Sequence, residues 1–275
     1  MKSTSSDRLQ RSSGLTGVRS ASLLLNLLLA LTAAYATAAN AGSITIAAAS
    51  DLQFAMQEVV AGFRATHPED TVEVIYGSSG KFAAQIENGA PFDLFFSADI
   101  AYPRALEKQD LTSGAAKPYA VGRIVLWSLK PELGRLSLKE LPTAAIRKFA
   151  IANPDHAPYG KRAQEALEHA GVWMAMAPKL VRGENIAQTA QFIDSGGADA
   201  GIVALSLVLA PGLKDRGAWT LIPEAWHEPL QQGYVITRRA QDNPLATAFA
   251  AWIDSAAARV VMRRYGFVLP DEVAD

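Results

Sequence analysis

Hydrophobic and polar positions form two kinds of segment that alternate along the chain. Short apolar runs rich in branched and aromatic residues predict strands, and segments with apolar residues three or four positions apart predict helices. In the first half we expect strands at 43–48, 71–76 and 92–97, and helices at 52–63, 81–87 and 100–109. Such a succession is typical of βα units on a mainly parallel sheet.

The alternation begins again after a long extended segment, 121–127. A second lobe is expected from strands at 148–152 and 200–204 and helices at 161–169 and 185–193, followed by a second extended segment at 231–237. A last helix is expected from Leu245 towards Arg264, with Pro244 at its start and Gly266 after its end.

These elements predict an α/β protein of two lobes, each a mainly parallel sheet flanked by helices, joined by two crossover strands. The first lobe is expected to comprise residues 42–119 plus 232–275, and the second residues 120–231. One larger doubly wound sheet is the alternative that the pattern leaves open.

The first 41 residues have the pattern of an export signal. A basic lead extends to Arg19, an apolar stretch follows from 21 to 36, and small residues offer A-x-A sites at 36–38 and 39–41. This order is typical of a cleaved secretory signal peptide. The apolar stretch, of about 16 residues, is shorter than the roughly 20 that a membrane span needs. We therefore expect residues 1–41 to be removed on export, with a membrane anchor as the alternative.

Charge and cysteine content exclude some partners. The chain has 26 basic and 27 acidic residues, of which the leader contains four and one, so the remainder carries a formal charge of about −4. A chain of this charge without a basic stripe is not expected to bind nucleic acid. The chain has no cysteine, which excludes a lipid-modified cysteine at the cleavage site, so the exported protein is expected to be freely soluble.

Small and polar residues cluster where predicted strands pass into helices. Four such junctions lie at 48–51, 76–80, 153–160 and 182–186, two in each predicted lobe. In an open α/β sheet, ligands bind beyond the carboxyl ends of the strands. A helix that begins there offers unpaired N–H groups and the positive end of its dipole, which favours an anion.

Serine at such a junction is usually a helix N-cap, and this interpretation fits Ser50 or Ser79 when each is taken alone. Four junctions together favour a binding site. Gly77 and Gly80, on either side of Ser79, add to this because glycine lets the backbone approach a ligand closely.

Other kinds of site are less well supported. Gly80-Lys81 lacks the upstream glycine and the following Ser or Thr of a phosphate loop, and the four histidines show no metal-ligand spacing. His156 with Asp155 could act as an acid–base pair beside a serine. The proline-rich turn around them makes exposed polar residues the simpler interpretation.

Five segments carry a recognisable pattern: AAASDL at 47–52, GSSG at 77–80, QIENGAPFDLFFSAD at 85–99, the junction at 153–160 and RYGF at 264–267. In these segments the chain resembles the periplasmic molybdate-binding proteins of ABC importers. The resemblance covers essentially the whole chain after the leader.

The resemblance implies a type II periplasmic-binding-protein fold that holds an oxyanion between its lobes. In that family two junction residues each offer a hydroxyl and an N–H group, and these roles fall on Ser50 and Ser79. Backbone N–H groups from the second lobe fall on Tyr159 and Ile186, and the N–H group of Asp51 is a further donor. The metal atom of the anion is touched only through its oxygens, so no protein–metal bond and no cofactor are expected.

Two positions depart from what such a site needs. Some members use a tyrosine hydroxyl after a Gly-Ile-Val segment, and Ala204 stands there in this chain. A carboxylate aimed at a dianion would be repelled strongly in a dry pocket. Asp51 is therefore expected to act by its backbone alone, with its side chain turned to solvent as a first-turn acid. The alternative is a carboxylate that accepts the proton of hydrogen phosphate.

Together these features predict a monomeric periplasmic receptor, not an enzyme, that captures molybdate or tungstate and delivers it to an inner-membrane ABC permease. One alternative is a sulfate or phosphate receptor. Another is a phosphate-ester hydrolase with Ser50 or Ser79 as nucleophile and His156 as base. A third is an interaction module with a vestigial cleft.

Overall fold

The structure is a computed structural model that describes residues 41–272. The predicted signal peptide, 1–41, lies outside the described residues except for Ala41. The strands, numbered in chain order, are β1 (Ser43–Ala49), β2 (Thr71–Gly77), β3 (Leu94–Ser97), β4 (Lys117–Gly122), β5 (Ile124–Ser128), β6 (Phe149–Ala152), β7 (Leu180–Gly183), β8 (Ala200–Ala204), β9 (Ala218–Leu221) and β10 (Leu230–Ile236).

Helices follow most of these strands. They are α1 (Gln53–Thr66), α2 (Ser79–Glu87), α3 (Ala101–Lys108), α4 (Pro131–Gly134), α5 (Pro158–His169), α6 (Trp173–Met176), α7 (Ile186–Asp194), α8 (Leu205–Val208), α9 (Pro244–Ile253) and α10 (Ala256–Arg264). A 3-10 turn, Ser50–Leu52, leads from β1 into α1. The sequence pattern does not predict the short strands β7 and β9.

Two five-stranded sheets with the same arrangement form the two lobes. The first has the order β2-β1-β3-β10-β4, in which β1 is parallel to β2 and β3, and β10 is antiparallel to β3 and β4. The second has the order β7-β6-β8-β5-β9, in which β6 is parallel to β7 and β8, and β5 is antiparallel to β8 and β9. In each sheet a single strand therefore opposes the direction of the other four, so each lobe is mainly parallel, as predicted.

The chain crosses from the first sheet to the second at Arg123. The segment 121–127, expected as one strand, is two: β4 ends at Gly122 in the first sheet and β5 begins at Ile124 in the second. A strand that changes sheets must leave one hydrogen-bond ladder before it joins another, which breaks the element. The chain returns to the first sheet between the end of β9 at Leu221 and the start of β10 at Leu230. The predicted lobe bounds, at 119/120 and 231/232, fall inside β4 and β10 and stay a prediction.

The expected last helix is also two helices. α9 and α10 meet at a bend of 56°. The side chain of Ser255 accepts a hydrogen bond from the N–H of Ala258 at 3.2 Å and so caps α10, because serine offers the backbone a partner outside a continuous helix. Within residues 41–272, no single helix is long and apolar enough to cross a membrane, and this pair has the length only across its bend.

Each sheet has its own core. Ile46 and Phe96 are fully buried in the first lobe, and Trp127 and Ile151 in the second. Burial of such side chains contributes about 1.5–3 kcal/mol each. The two cores hold the sheets so that the carboxyl ends of β1, β2, β6 and β7 meet between the lobes.

Candidate functional site

One small cavity is lined by residues from all four predicted junctions. β1 passes into the turn before α1, β2 into α2, β6 into α5 and β7 into α7. The lining residues are Ala49, Ser50, Asp51, Gly77, Ser78, Ser79, Ala98, Ala157, Pro158, Tyr159, Asn185 and Ile186. Because a helix begins at each junction, N–H groups without intrahelical partners and positive dipole ends from both lobes converge here. Such a space favours a negative ligand.

All five residues predicted to touch the ligand lie on this cavity: Ser50, Asp51, Ser79, Tyr159 and Ile186. None of them is more than 4% exposed. The cavity is far smaller than the pockets of roughly 300–1,000 Å³ that hold drug-sized ligands. The dimensions suit a small anion.

Neither Ser50 nor Ser79 is a helix N-cap. The N-cap positions belong to Ala49 and Ser78. The N–H of Ala98 donates to the Ser79 hydroxyl oxygen at 3.0 Å, and the N–H of Ala187 donates to the Ser50 hydroxyl oxygen at 3.2 Å. A hydroxyl that accepts one bond still has its own O–H to donate, so both serines can donate into the cavity.

The second lobe reaches the cavity through its backbone. Tyr159 is the second residue of α5, and Ile186 is the first residue of α7. At these positions an N–H group has no partner within its own helix. The side chain of Asn185 caps α7 by accepting from the N–H of Gln188 at 2.9 Å, so this cap does not occupy the N–H of Ile186. Ala204 ends β8 and is fully buried, and its side chain offers no hydrogen-bond donor to the cavity.

The expectation that the Asp51 side chain turns to solvent is wrong. This residue is 1% exposed, and its Oδ2 accepts hydrogen bonds from the Tyr159 hydroxyl at 3.0 Å and the Gln232 amide at 2.7 Å. Among the described residues, Oδ1 has no hydrogen-bond partner. Burial raises the pKa of the Asp51 carboxyl to about 6, although the bonds from Gln232 and Tyr159 act in the opposite direction.

Asp51 is the centre of a buried group that we name the floor cluster: Asp51, Tyr119, Tyr159 and Gln232. Gln232 lies on β10 and is fully buried. Its amide donates to Asp51 and to the Tyr159 hydroxyl, the latter at 3.1 Å, and its carbonyl accepts from the Tyr119 hydroxyl at 2.6 Å. Burial raises the pKa of both tyrosines well above the usual value, so they stay protonated donors. The floor cluster joins both lobes to a crossover strand.

A second group of contacts between the lobes forms the rim cluster: Ser78, Gly80, Lys81, His156 and Glu184. The Ser78 hydroxyl and the Gly80 N–H both donate to the main-chain oxygen of His156, the latter at 3.0 Å. The Ser78 hydroxyl oxygen also lies 2.9 Å from Nδ1 of His156. Lys81 and Glu184 form an ion pair, with side chains 51% and 57% exposed. The rim cluster therefore combines a buried backbone contact with an exposed charge pair.

A larger groove, with a volume of about 660 Å³, opens beside Ser50. Its charged lining residues, Asp194 and Arg216, form an ion pair with each other. The groove is open to solvent and is lined by two of the four junction helices, α1 and α7, whereas all four junctions line the smaller cavity. We therefore assign the candidate site to the smaller cavity. Within residues 41–272, no group of three or more His, Cys, Asp or Glu side chains is placed to hold a metal ion.

Sequence reasoning missed Ser78, Tyr119 and Gln232. A signal for Gln232 was present, because a polar residue within an apolar strand indicates a buried hydrogen bond. No local signal identifies the contact of Ser78 with His156, since the two residues are 78 positions apart.

The fold and the cavity define a class of protein that binds a small solute between two lobes. The family described as bacterial extracellular solute-binding protein matches residues 44–268. The chain belongs to this family.

Named relatives refine this assignment. The chain is 37% identical to the molybdate-binding protein ModA of Azotobacter vinelandii over 85% of this chain and 93% of the relative. It is 34% identical to ModA of Rhodobacter capsulatus over 87% of this chain and 94% of the relative. The solved structure of the Azotobacter vinelandii periplasmic molybdate-binding protein has a TM-score of 0.78 at 31% identity and covers 82% of this chain and 99% of that chain. The resemblance and the fold class predicted from the sequence are confirmed.

Proposed function

We propose that the protein is a periplasmic receptor that captures molybdate or tungstate between its lobes and delivers it to an inner-membrane ABC permease. The single observation that carries the proposal is the convergence of four helix N-termini, two from each lobe, on one small cavity lined by buried residues. Relatives at 37% and 34% identity are named as molybdate-binding proteins. We further propose export with removal of residues 1–41 and action as a monomer, without a cofactor.

The donor set supports a fully deprotonated oxyanion. Molybdate and tungstate offer only acceptors, and the proposed contacts are all donors: the hydroxyls of Ser50 and Ser79 and the N–H groups of Asp51, Tyr159 and Ile186. Among buried lining residues each of these hydrogen bonds is stronger than in water. The oxygens of the anion are bound in this way without any protein–metal bond.

A carrier role fits the surroundings of His156 better than the hydrolase alternative. The hydrolase needs His156 as a base for Ser50 or Ser79. Instead, His156 contacts Ser78, whose hydroxyl donates to the main-chain oxygen of His156 itself. We infer that this histidine serves contact between the lobes.

Calorimetric titration with molybdate, tungstate, sulfate and phosphate tests the proposal. We expect tight binding of molybdate and tungstate and much weaker binding of the other two anions. Tight binding of sulfate or phosphate without molybdate would instead identify a receptor for those anions. Turnover of an aryl phosphate, lost in His156→Ala, would identify the hydrolase.

The variant Ser79→Ala tests the site. It removes a proposed donor to the anion and the acceptor of the Ala98 N–H, so molybdate binding should weaken by about 1–3 kcal/mol. Ser255→Ala is the matched control, because it removes only the cap of α10. The control should lower the free energy of unfolding by about 0.5–2 kcal/mol and leave the affinity unchanged. Wild-type affinity in Ser79→Ala would remove Ser79 from the site.

A further inference from the structure

Asp51 places a buried acid beside a cavity that is otherwise lined with donors. Its carboxyl lies within the first lobe, accepts from Tyr159 of the second lobe and accepts from Gln232 on the crossover strand β10. Its main-chain oxygen accepts from the Ser206 hydroxyl, also in the second lobe, at 2.7 Å. Contacts from three directions meet on this single residue, and both of its second-lobe contacts require the lobes to be together.

The same contacts fix donors of the proposed site. The hydroxyl of Tyr159 is bound to Asp51, so the first turn of α5, with the Tyr159 N–H, is held against the first junction. Separation of the lobes would break the bonds from Tyr159 and Ser206 and would return the carboxyl to water. Lobe closure therefore transfers this carboxyl from water into a buried setting.

We propose that Asp51 is a positioning residue that couples closure of the lobes to oxyanion capture, and that its carboxyl takes up one proton when the lobes close on the anion. This inference rests on the proposed function, since it requires an oxyanion in the cavity. Burial favours the protonated carboxyl, and a dianion in the cavity favours it further by charge repulsion. Even without the anion, burial raises the pKa of this group to about 6.

The structure offers a place for the proton. Oδ2 is occupied by the bonds from Tyr159 and Gln232, whereas Oδ1 has no partner among the described residues. A proton from solvent can therefore bind Oδ1 without breaking either bond at Oδ2. The protonated floor cluster keeps its contacts and loses its negative charge.

Few other groups near Asp51 can titrate. Tyr159 faces it from α5, and Tyr119 from β4 through Gln232; both stay protonated because burial raises the pKa of each well above the usual value. Within residues 41–272, no basic side chain forms an ion pair with Asp51 at 4.0 Å or less. His156, Lys81 and Glu184 of the rim cluster are further titratable groups near the cavity.

The test is calorimetric titration of the full chain with molybdate at about pH 6 and about pH 8, each in two buffers of different ionisation enthalpy. For the wild type we expect up to one proton taken up per anion bound. The affinity should fall as the pH rises, by at most about tenfold per pH unit. Because proton uptake favours binding, the affinity should begin to fall as the pH rises above the pKa of Asp51 in the unbound protein. It should stop falling above the pKa of Asp51 in the complex.

Asp51→Asn should abolish both effects. Its side-chain oxygen can still accept from Tyr159 and Gln232, so closure is kept while the titrating group is lost. Asp93→Asn is the matched control, because Asp93 is a buried aspartate of the same lobe, 6% exposed, that contacts Thr45 and Arg239 instead. The control should bind molybdate with the wild-type pH profile.

Proton uptake and pH dependence that persist in Asp51→Asn would overturn the inference and assign the proton to another group, such as His156. Loss of pH dependence in both variants would overturn it as well. If the wild type binds none of the four oxyanions at either pH, the proposed function fails, and the inference fails with it. Binding of molybdate without any pH dependence would overturn the inference alone.

Tyr159→Phe tests the inference independently if Asp51→Asn does not fold. It keeps the ring and the N–H group of this position and removes one bond to the ionised carboxyl. We expect weaker molybdate binding at about pH 8 than in the wild type, with a smaller loss at about pH 6, because the protonated carboxyl needs that bond less. An equal loss of molybdate affinity at both pH values would contradict the proton-linked role of Asp51.

Discussion

The floor cluster and the rim cluster both join the lobes, but they differ in contact with water. Asp51 and Gln232 of the floor are at most 1% exposed, whereas the ion pair of the rim is more than half exposed on each side. Charges in a buried setting interact strongly, and exposed ones are screened by water and salt. The comparison indicates that stability and binding depend on the charge of Asp51 in the floor cluster. The rim cluster acts mainly through the contact of the Gly80 backbone with the His156 backbone.

The largest expected effect is on the free energy of unfolding, through the carboxyl of Asp51 in the floor cluster. Asp51 binds its proton more tightly in the folded protein, where burial raises its pKa to about 6, than it does at the ordinary aspartate pKa of 3.8. Its contribution to stability is therefore fully present below pH 3.8 and is lost as the pH rises through about 6. With the lobes together, as in this structure, Asp51→Asn should raise the free energy of unfolding at about pH 8 by about 3 kcal/mol.

Urea unfolding of wild type and Asp51→Asn at about pH 4 and about pH 8 measures the difference in their free energy of unfolding. This difference should nearly vanish at about pH 4. Asp93→Asn is the control and should show no such gain, because its carboxylate is paired with Arg239. An equal difference at both pH values would show that the Asp51 carboxyl is hydrated in the unbound protein and would remove the contrast between floor and rim.

A smaller effect is expected from the backbone contact of the rim. A Cβ atom on Gly80 would lie 2.7 Å from the main-chain oxygen of His156, so Gly80→Ala should keep the lobes apart. We expect molybdate affinity to fall by about tenfold or more, since a lost hydrogen bond and a steric overlap each cost on the order of 1 kcal/mol. Stability without ligand should be kept or rise, because alanine favours helix α2 by up to about 1 kcal/mol.

Calorimetry and thermal unfolding of Gly80→Ala give both quantities. Gly212→Ala is the matched control, since no atom lies within 4 Å of a Cβ built there. Wild-type affinity in Gly80→Ala would mean that the lobes are further apart at the rim when the anion is bound.

The smallest effect is expected from the exposed ion pair. Lys81→Ala removes the partner of Glu184, and exposed pairs contribute little to stability or binding. Affinity should change by no more than about threefold, and the change should disappear in high salt. Titrations at low and high salt test this, with Lys108→Ala at the end of α3 as the control. A larger change that persists in high salt would give the rim the electrostatic role assigned to the floor.

The candidate site was more predictable than its surroundings. Ser50, Ser79, Tyr159 and Ile186 could be placed on one cavity because they follow parallel strands, whose carboxyl ends lie at one edge of a sheet. The break of the first crossover at Arg123 was missed because a single apolar run pairs with two sheets. The break before α10 has a local signal, because Ser255 offers a side-chain cap to the N–H of Ala258.

The burial of Asp51 could not be predicted from the residues next to it in the sequence. Its position after β1 indicates a first-turn acid, and such an acid is normally exposed. Its burial depends on Tyr159 and Gln232, which are 108 and 181 positions away.

The sequence by itself determined the alternation of strands and helices, the four junctions and the types of donor at each, because these depend on residues close together in the chain. The tertiary structure alone decided that both serine hydroxyls accept a backbone N–H and so remain donors. It also decided that one acid among the donors is buried with its charge unpaired. Hydrogen bonds and burial of this kind depend on contacts between distant segments, and no local pattern encodes them.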